Sequence, residues 1–356
     1  MSLVHMDFPS GQTGLYGTDR SYMLNGLYAE TSNFSLSDDP DPNITGNVVN
    51  ISNTSTNGTW VVYRYALPGG ATTKAGVGLR IWLASLPVSD TVGPYIVQFC
   101  DVSNNVLASM RVLSNGRIRV TPTGGSNYDT TTPVIVANAW QHVEISFDTA
   151  GVSTVDFEVR VEGVTVLDET GVVGSDTAIG QIRVQGQNSG STIGPRWYNK
   201  DLVIWDGAGS VNNTFLGSVV VRELLTDGDV SFLWAASSGS TGYNLLNEAP
   251  PNDNTDYIYA IDPPPGASLF SLTDLPADVT SVKGLYAVVR STKTDGGDGN
   301  LQVGIKSGAS TGLGSDRPIT TAYTYWTDVF ELDPATSAAW TRVGVNAAQL
   351  QLNRTV

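Results

Sequence analysis

The sequence predicts an all-β protein: an N-terminal two-sheet jelly-roll sandwich followed by a smaller, loop-rich antiparallel β domain. Three observations support this class. Charged residues make up only 15% of the 356 residues, whereas glycine occurs 38 times. Stretches that alternate between apolar and polar residues are common, and the spacing of an amphipathic helix is scarce. A chain of this length is long for one domain and suits two.

The first domain is predicted to span residues 1–218, because short strand patterns recur through it. Residues 155–161 alternate without a fault, and residues 143–147 place Val143 and Phe147 on one face. Such strands are half-buried, with one face on a core and the other in water. His142 and Glu144 are therefore expected to point outward into solvent.

Two dipeptides predict hairpins between these strands. Asn115-Gly116 separates two strand patterns, and Glu162-Gly163 follows the alternating strand 155–161. Both are typical of tight turns whose residues adopt a positive φ. About ten or more strands in roughly 200 residues favour a two-sheet sandwich.

A linker is expected at residues 219–230 and a second domain at 231–356. Its first part is rich in Pro, Asn and Asp, and Trp234, Tyr243 and Tyr257 are expected to anchor it. Strands are predicted further on, at 282–290, 301–306, 323–331 and 340–347.

Two resemblances extend this interpretation. The segment Ala139-Trp140-Gln141-His142-Val143-Glu144-Ile145, the turn Glu162-Gly163 and the strand Asp201–Asp206 resemble a laminin-G or concanavalin-like jelly roll. The segment Tyr243–Pro251 and the segment Glu331–Thr336, followed by Trp340, resemble phage structural proteins. The second resemblance implies a virion component of tail, fibre or decoration type, made in the bacterial cytoplasm. Its partners would be further copies of itself and other virion proteins.

Charge and cysteine content narrow the classes of partner. The formal net charge is -15, so the field around the protein repels nucleic acid and anionic lipid. The N-terminal residues lack the pattern of a secretory signal, and no apolar run is long enough for a membrane span. Cys100 is the single cysteine and lies in an apolar strand pattern, where a buried, inert thiol is expected.

An enzyme is not expected from the acidic and histidine residues. Glycoside hydrolysis requires two carboxylates at a defined separation. The nearest pattern is Glu158, Arg160, Glu162, in which an arginine stands between the acids. The two histidines, His5 and His142, lie in no nucleophile motif.

A carbohydrate-binding adhesin that contacts the host envelope is the alternative function. Lectin-like jelly rolls stack sugars on exposed aromatic rings. Tyr128, Trp197 and Tyr198 lie in Gly- and Asn-rich contexts and are the candidates, although each also suits a place in the core.

Asp39, Asp41 and Asn43 are the candidates for a calcium site. Their side chains carry oxygen atoms at alternate positions of a proline-stiffened loop, and calcium prefers oxygen ligands. The glycine and glutamate of a calcium-binding helical loop are missing, so a plain acidic loop is the favoured interpretation. Asp295 with Asp298, and Asp253 with Asp256, are weaker versions of the same pattern. No cofactor is otherwise expected.

Overall fold

The computed structural model describes residues 3–7, 27–29, 34–38, 40, 47–51, 61–67, 70–90, 95–186, 197–239, 241–247, 255–261 and 266–355. It separates into two compact units, Met1–Val221 and Arg222–Val356. Antiparallel strands dominate both units, which confirms the predicted all-β class.

The first unit is a sandwich of two antiparallel sheets. Its strands within the described residues are β1 (Leu3–Asp7), β2 (Leu27–Ala29), β3 (Phe34–Asp38), β4 (Asn47–Ile51), β5 (Val61–Ala66), β6 (Lys74–Leu83), β7 (Tyr95–Cys100), β8 (Val106–Val112), β9 (Ile118–Pro122), β10 (Tyr128–Asp129), β11 (Gln141–Asp148), β12 (Thr154–Val161), β13 (Val164–Val173), β14 (Gln181–Gly186) and β15 (Trp197–Asp206). Sheet A has the order β13-β12-β11-β6-β15-β4-β3, and β1 also pairs with β15. Sheet B has the order β10-β9-β8-β7-β14-β5-β2.

Both predicted hairpins form. Glu162 and Gly163 have φ of 49° and 78°, so this two-residue turn joins β12 to β13 with Val161 opposite Val164. At the other hairpin only Gly116 has a positive φ, 79°, and its N–H donates to the carbonyl of Leu113. The loop is therefore longer than the two residues predicted, with glycine in the left-handed position.

The core lies between the two sheets and follows the period-two pattern. Alternate residues of β6, β11 and β12 enter it, and the rings of Phe99 and Phe147 stack across the sheets at 5.1 Å. Cys100 is buried, as expected. This inward set leaves the opposite side chains of sheet A on its outer face.

The second unit has a five-stranded antiparallel sheet and several two-stranded ones. Its elements within the described residues are β16 (Thr226–Ser231), β17 (Ala235–Ala236), a 3-10 turn (Tyr243–Leu245), β18 (Ile258–Tyr259), β19 (Ser268–Leu272), β20 (Leu285–Ser291), β21 (Asn300–Ser307), β22 (Ser310–Pro318), β23 (Thr324–Phe330), β24 (Leu332–Asp333), β25 (Ala338–Ala339), α1 (Arg342–Asn346) and β26 (Gln349–Thr355). The main sheet has the order β16-β19-β26-β21-β22. Its core residues include Phe270, Leu301 and Leu352.

Several predictions for this unit need correction. Residues 226–231 form β16, although most of them were assigned to a linker. Residues 340–347 were predicted as a strand, but they contain α1, because the Thr341 hydroxyl caps the helix by accepting from the Gly344 N–H. Trp340 is buried as expected, and its indole N–H donates to the Phe330 carbonyl at 2.9 Å.

Two of the three aromatic residues predicted to anchor the second unit pack in its core, and the third does not. Tyr243 and Trp234 pack against the core, and the Trp234 indole donates to the Gly266 carbonyl. Tyr257 is 44% exposed, so the prediction that it pins the loop is wrong.

Candidate functional site

The outer face of sheet A carries side chains in rows that run across strands. Strand register places Trp82 of β6 opposite Tyr198 of β15. It aligns Arg80 of β6 with His142 of β11 and with Lys200 of β15. An aromatic row and a basic row are therefore adjacent on one face.

The aromatic row consists of Trp82, Tyr198 and Trp140. Trp82 and Tyr198 are buried and pack together, and the half-buried Trp140 packs against them. The rings of Trp82 and Trp140 meet edge to face at 5.9 Å. The Lys200 ammonium lies 4.0 Å from the centre of the Trp140 ring, a favourable cation–π contact. Trp140 is thus held in place while part of its ring still meets solvent.

The basic row is anchored at Arg80 by an acidic partner, Asp201. Asp201 has a φ of 55° at the bulge between Lys200 and Val203 in β15, and its carboxylate lies 3.4 Å from the Arg80 Nε. The same carboxylate accepts from the Val221 N–H at 2.9 Å. An extra residue in a strand re-aims a side chain in this way.

His142 and Glu144 lie on the outer face, as the alternation predicted, but they are not in water. His142 is 0% exposed, and Glu144 is buried as well. The prediction that they are solvated is therefore wrong. Neither ring nitrogen of His142 has a hydrogen-bond partner among the described residues.

The electrostatic state of His142 follows from this burial. Burial, and next the positive charge of Arg80, lower the pKa of His142 from 6.5 to about 4. The imidazole is therefore neutral at neutral pH. Its main-chain N–H donates to the Glu162 carboxylate at 2.6 Å, which fixes the backbone but leaves the ring unpaired.

Residues 207–221, named the strap below, cover this part of the face. The Leu216 and Gly217 N–H groups both donate to the Glu144 carboxylate, at 2.9 and 3.1 Å. The Ser218 hydroxyl accepts from Arg80 at 2.6 Å. The Phe215 ring lies under the Arg160 guanidinium at 3.9 Å and edge-on to Trp205 at 6.1 Å.

These side chains pack directly against the backbone of β6 at two glycines, Gly76 and Gly78. A Cβ added at Gly76 would be 2.0 Å from an atom of the Trp205 ring. A Cβ at Gly78 would meet Val203, Glu144 and the His142 Nε2 at 3.0, 3.3 and 3.4 Å. Only glycine allows the strand backbone to come this close.

Of the residues predicted to bind glycan, Tyr198 alone belongs to this cluster. Trp197 is 1% exposed and faces the core between the sheets, so its ring is not available for stacking. Tyr128 is half-buried, and its ring packs edge-on against Phe157 of the core at 5.5 Å. Period-two alternation explains the division, because consecutive residues of β15 face opposite sides of sheet A.

The acid pattern of β12 forms an ion pair instead of a carboxylate pair. The Arg160 Nε lies 2.8 Å from the Glu158 carboxylate, which also accepts from the Thr165 hydroxyl at 2.6 Å. Burial raises the pKa of Glu158, but the bonds from Arg160 and Thr165 outweigh it, so that the pKa is lowered. Glu158 is therefore ionised at neutral pH and not poised as a proton donor.

The predicted calcium ligands Asp39, Asp41 and Asn43 lie outside the described residues, and so does Asp253 of a weaker pattern. At another of the weaker patterns, Asp295 accepts from the Gly297 N–H within a turn. Among the residues that the structure describes, no group of three or more His, Cys, Asp or Glu could hold a metal ion. The same residues include no helix with the length and apolar character to cross a membrane.

Arg80, Trp82, Trp140 and Lys200 were not predicted as site residues. The alternation in β6, Gly78-Leu79-Arg80-Ile81-Trp82, carries a usable signal, because it places Arg80 and Trp82 on the face opposite the core. The partners from β11 and β15 depend on register between distant segments, which the sequence does not reveal.

No family model and no curated protein matches the chain. Solved structures with a similar fold include a sialidase, with 12% identity and a TM-score of 0.40 over 57% of this chain and 19% of the sialidase. They include an endo-β-1,4-glucuronan lyase from the fungus Trichoderma reesei, with 13% identity and a TM-score of 0.39 over 57% of this chain and 95% of the lyase. The receptor-binding domain of a botulinum neurotoxin C/D mosaic serotype is 13% identical with a TM-score of 0.39, over 57% and 48% of the two chains.

These likenesses concern the β-sandwich and carry no ligand or activity to this chain. They do correct one expectation. Enzymes, among them the glucuronan lyase and an alginate lyase, occur among the similar structures. The prediction from the sequence that the protein is not an enzyme is therefore wrong.

Proposed function

We propose that the protein is an attachment protein of a phage particle, whose first unit binds saccharide through the outer face of sheet A. The observation that carries this proposal is the pairing of two adjacent rows, Trp82, Tyr198 and Trp140 beside Arg80 and Lys200. Binding sites for small ligands combine apolar or aromatic surface with a few placed polar groups.

Each row has a part in recognising a sugar. The half-buried Trp140 offers ring surface against which the C–H face of a pyranose packs, and its contacts with Trp82 and Lys200 hold the ring in place before binding. A preorganised side chain loses little conformational entropy when a ligand binds. Arg80 provides charged N–H donors beside the ring, and such donors form strong hydrogen bonds with sugar oxygens.

The particle-bound role rests on the second unit. Its motifs resemble phage structural proteins, and it exposes four apolar side chains in and beside the β17–β18 pair, called the apolar stripe here: Leu233, Tyr257, Tyr259 and Ile261. Tyr257 and Tyr259 are each 44% exposed with ring centres 6.1 Å apart, and Leu233 and Ile261 are exposed too. Exposed apolar patches of this kind favour a protein interface. The stripe is the surface we propose for docking to the virion.

A glycan array with the full chain and two matched variants tests the sugar-binding proposal. We expect Trp140→Ala to lose the array signal, because stacking surface is removed. Tyr259→Ala removes an exposed ring of the second unit and should retain the signal. An array without reproducible hits, or equal signals from wild type and Trp140→Ala, would reject this role.

Immunogold labelling of phage particles that carry each variant tests the docking proposal. Wild type and Trp140→Ala should label intact particles at one location, whereas Tyr259→Ala combined with Ile261→Ser should reduce labelling and leave free protein in the lysate. Absence of wild-type protein from purified particles would contradict the virion role, whatever the array shows.

A further inference from the structure

Several of the interactions that hold the strap to sheet A involve its main chain. Within the described residues it forms no strand or helix, and Gly209 and Gly217 have φ of 77° and 79°. Its contacts with Glu144 and Asp201 use the N–H groups of Leu216, Gly217 and Val221. Segments without regular structure and with few buried side chains open at lower free energy than core strands.

The strap bonds to Glu144 and Arg80, which flank His142 on β11 and on the neighbouring strand β6, and this surface is polar and incompletely paired. His142 is fully buried with both ring nitrogens unpaired among the described residues. A buried polar group without a partner destabilises a fold, so such groups are uncommon without a functional reason. An apolar residue at this position of β11 would fill the space without that loss.

We propose that the strap is a displaceable cover over a second saccharide subsite, formed by His142, Arg80 and Glu144 next to the aromatic row. This inference rests on the proposed sugar-binding function and names where the following sugar ring of the same ligand lies. A saccharide bound at Trp140 extends across Arg80 toward His142 as the strap leaves.

The groups that the strap now supplies define the chemistry of the ligand. Ser218 gives Arg80 a hydroxyl oxygen, and the Leu216 and Gly217 N–H groups give Glu144 two donors. A sugar hydroxyl both accepts and donates, so neighbouring hydroxyls replace both kinds of partner. They also pair the His142 ring, which the strap does not. The mixture of Arg80, Asp201 and Glu144 charges suits a hydroxyl-rich ligand better than a simple anion.

The pKa of His142 shows whether the strap is closed or open, and it can be measured without any ligand. The chain has only two histidines, so a His5→Asn variant assigns the imidazole signals in an NMR titration. The charged groups around His142 are Arg80 on β6, Glu144 on its own strand and Glu162 in the β12–β13 turn. In the wild-type protein we expect a pKa of about 4, since burial disfavours the charged ring.

Two variants loosen the strap by different routes. Phe215→Ala removes the ring that contacts Arg160 and Trp205. Gly217→Ala adds a Cβ that meets nothing within 4 Å, so that it strains only the left-handed backbone. Gly239→Ala is the matched control, because Gly239 also has a positive φ with open space around it but lies in the second unit.

We expect both strap variants, but not Gly239→Ala, to move the His142 titration toward the ordinary range near 6.5. In Phe215→Ala, a soluble tetrasaccharide from the array should then shift the His142 signals, more than a disaccharide from the same series does. If folded strap variants keep the low pKa, or if His142 of the wild type titrates near 6.5, the proposal that the strap is a displaceable cover is contradicted. Strap opening without any saccharide response would overturn the subsite. An array signal that depends on Trp140 would leave the proposed function standing in each case.

Discussion

His142 is a buried ionisable residue whose ring is unpaired among the described residues, which a purely structural sandwich does not need. The alternation of β11 places it on the outer face, where it is nevertheless 0% exposed, and the strap bonds to its neighbours Glu144 and Arg80. Its pKa lies below the ordinary value, so the unfolded chain takes up a proton at a higher pH than the folded protein does. The contribution of the neutral ring to the free energy of unfolding is therefore fully present above pH 6.5, and it is lost as the pH decreases toward 4.

His142→Leu should remove that pH dependence. A shift from 6.5 to about 4 corresponds to a loss of roughly 3 kcal/mol between these pH values. Urea unfolding of the wild type and of the variant at pH 7.5 and pH 4.5 measures the difference. We expect the variant to be at least as stable as the wild type at pH 7.5, because the unpaired ring is gone, and its advantage to grow at pH 4.5. A parallel loss of stability in both proteins would show that His142 does not titrate as described.

At the scale of elements, β6 is the strand on which the site depends. Its inward residues belong to the core, while its outward positions are two glycines, Gly76 and Gly78, followed by Arg80 and Trp82. The glycines are required because Trp205 and the His142–Glu144 pair lie directly over the backbone. A side chain at either glycine would therefore disturb the face.

Gly76→Ala tests this arrangement. A Cβ only 2.0 Å from the Trp205 ring forces the indole to move, and overpacking of this kind destabilises by about 1–3 kcal/mol or more. Thermal unfolding should show a lower midpoint for the first unit. Gly296→Ala, where nothing lies within 4 Å and φ is not positive, is the control that should leave the midpoints nearly unchanged. Equal stability of Gly76→Ala and wild type would mean that Trp205 does not cover Gly76.

Elements governed by local chemistry could be predicted from the sequence, and those governed by distant contacts could not. Glu162-Gly163 specifies its own turn, whereas Thr341 caps a short helix in a segment that alternates like a strand. The strap meets Glu144 across 72 residues of sequence, so its cover over β11 has no local signature. Tyr198 could be proposed from the sequence, and the alternation in β6 marks Trp82 as outward, but the contacts among Tyr198, Trp82 and Trp140 depend on register between distant segments.

For the whole molecule, the two units have separate cores and are proposed to have separate tasks. The first presents aromatic and basic rows on an outer sheet face, and the second presents an apolar stripe. A division of this kind would let one unit dock to a particle while the other binds a sugar. Each task should be removable without loss of the other.

Calorimetric titration of the array-selected oligosaccharide into the wild-type protein and Trp140→Ala tests the central claim most directly. The account predicts that Trp140→Ala binds at least about tenfold more weakly, a difference of roughly 1.4 kcal/mol. Tyr259→Ala should bind as the wild type does, and the circular dichroism spectra of all three should agree. Unchanged affinity in a folded Trp140→Ala protein would contradict a saccharide site on sheet A.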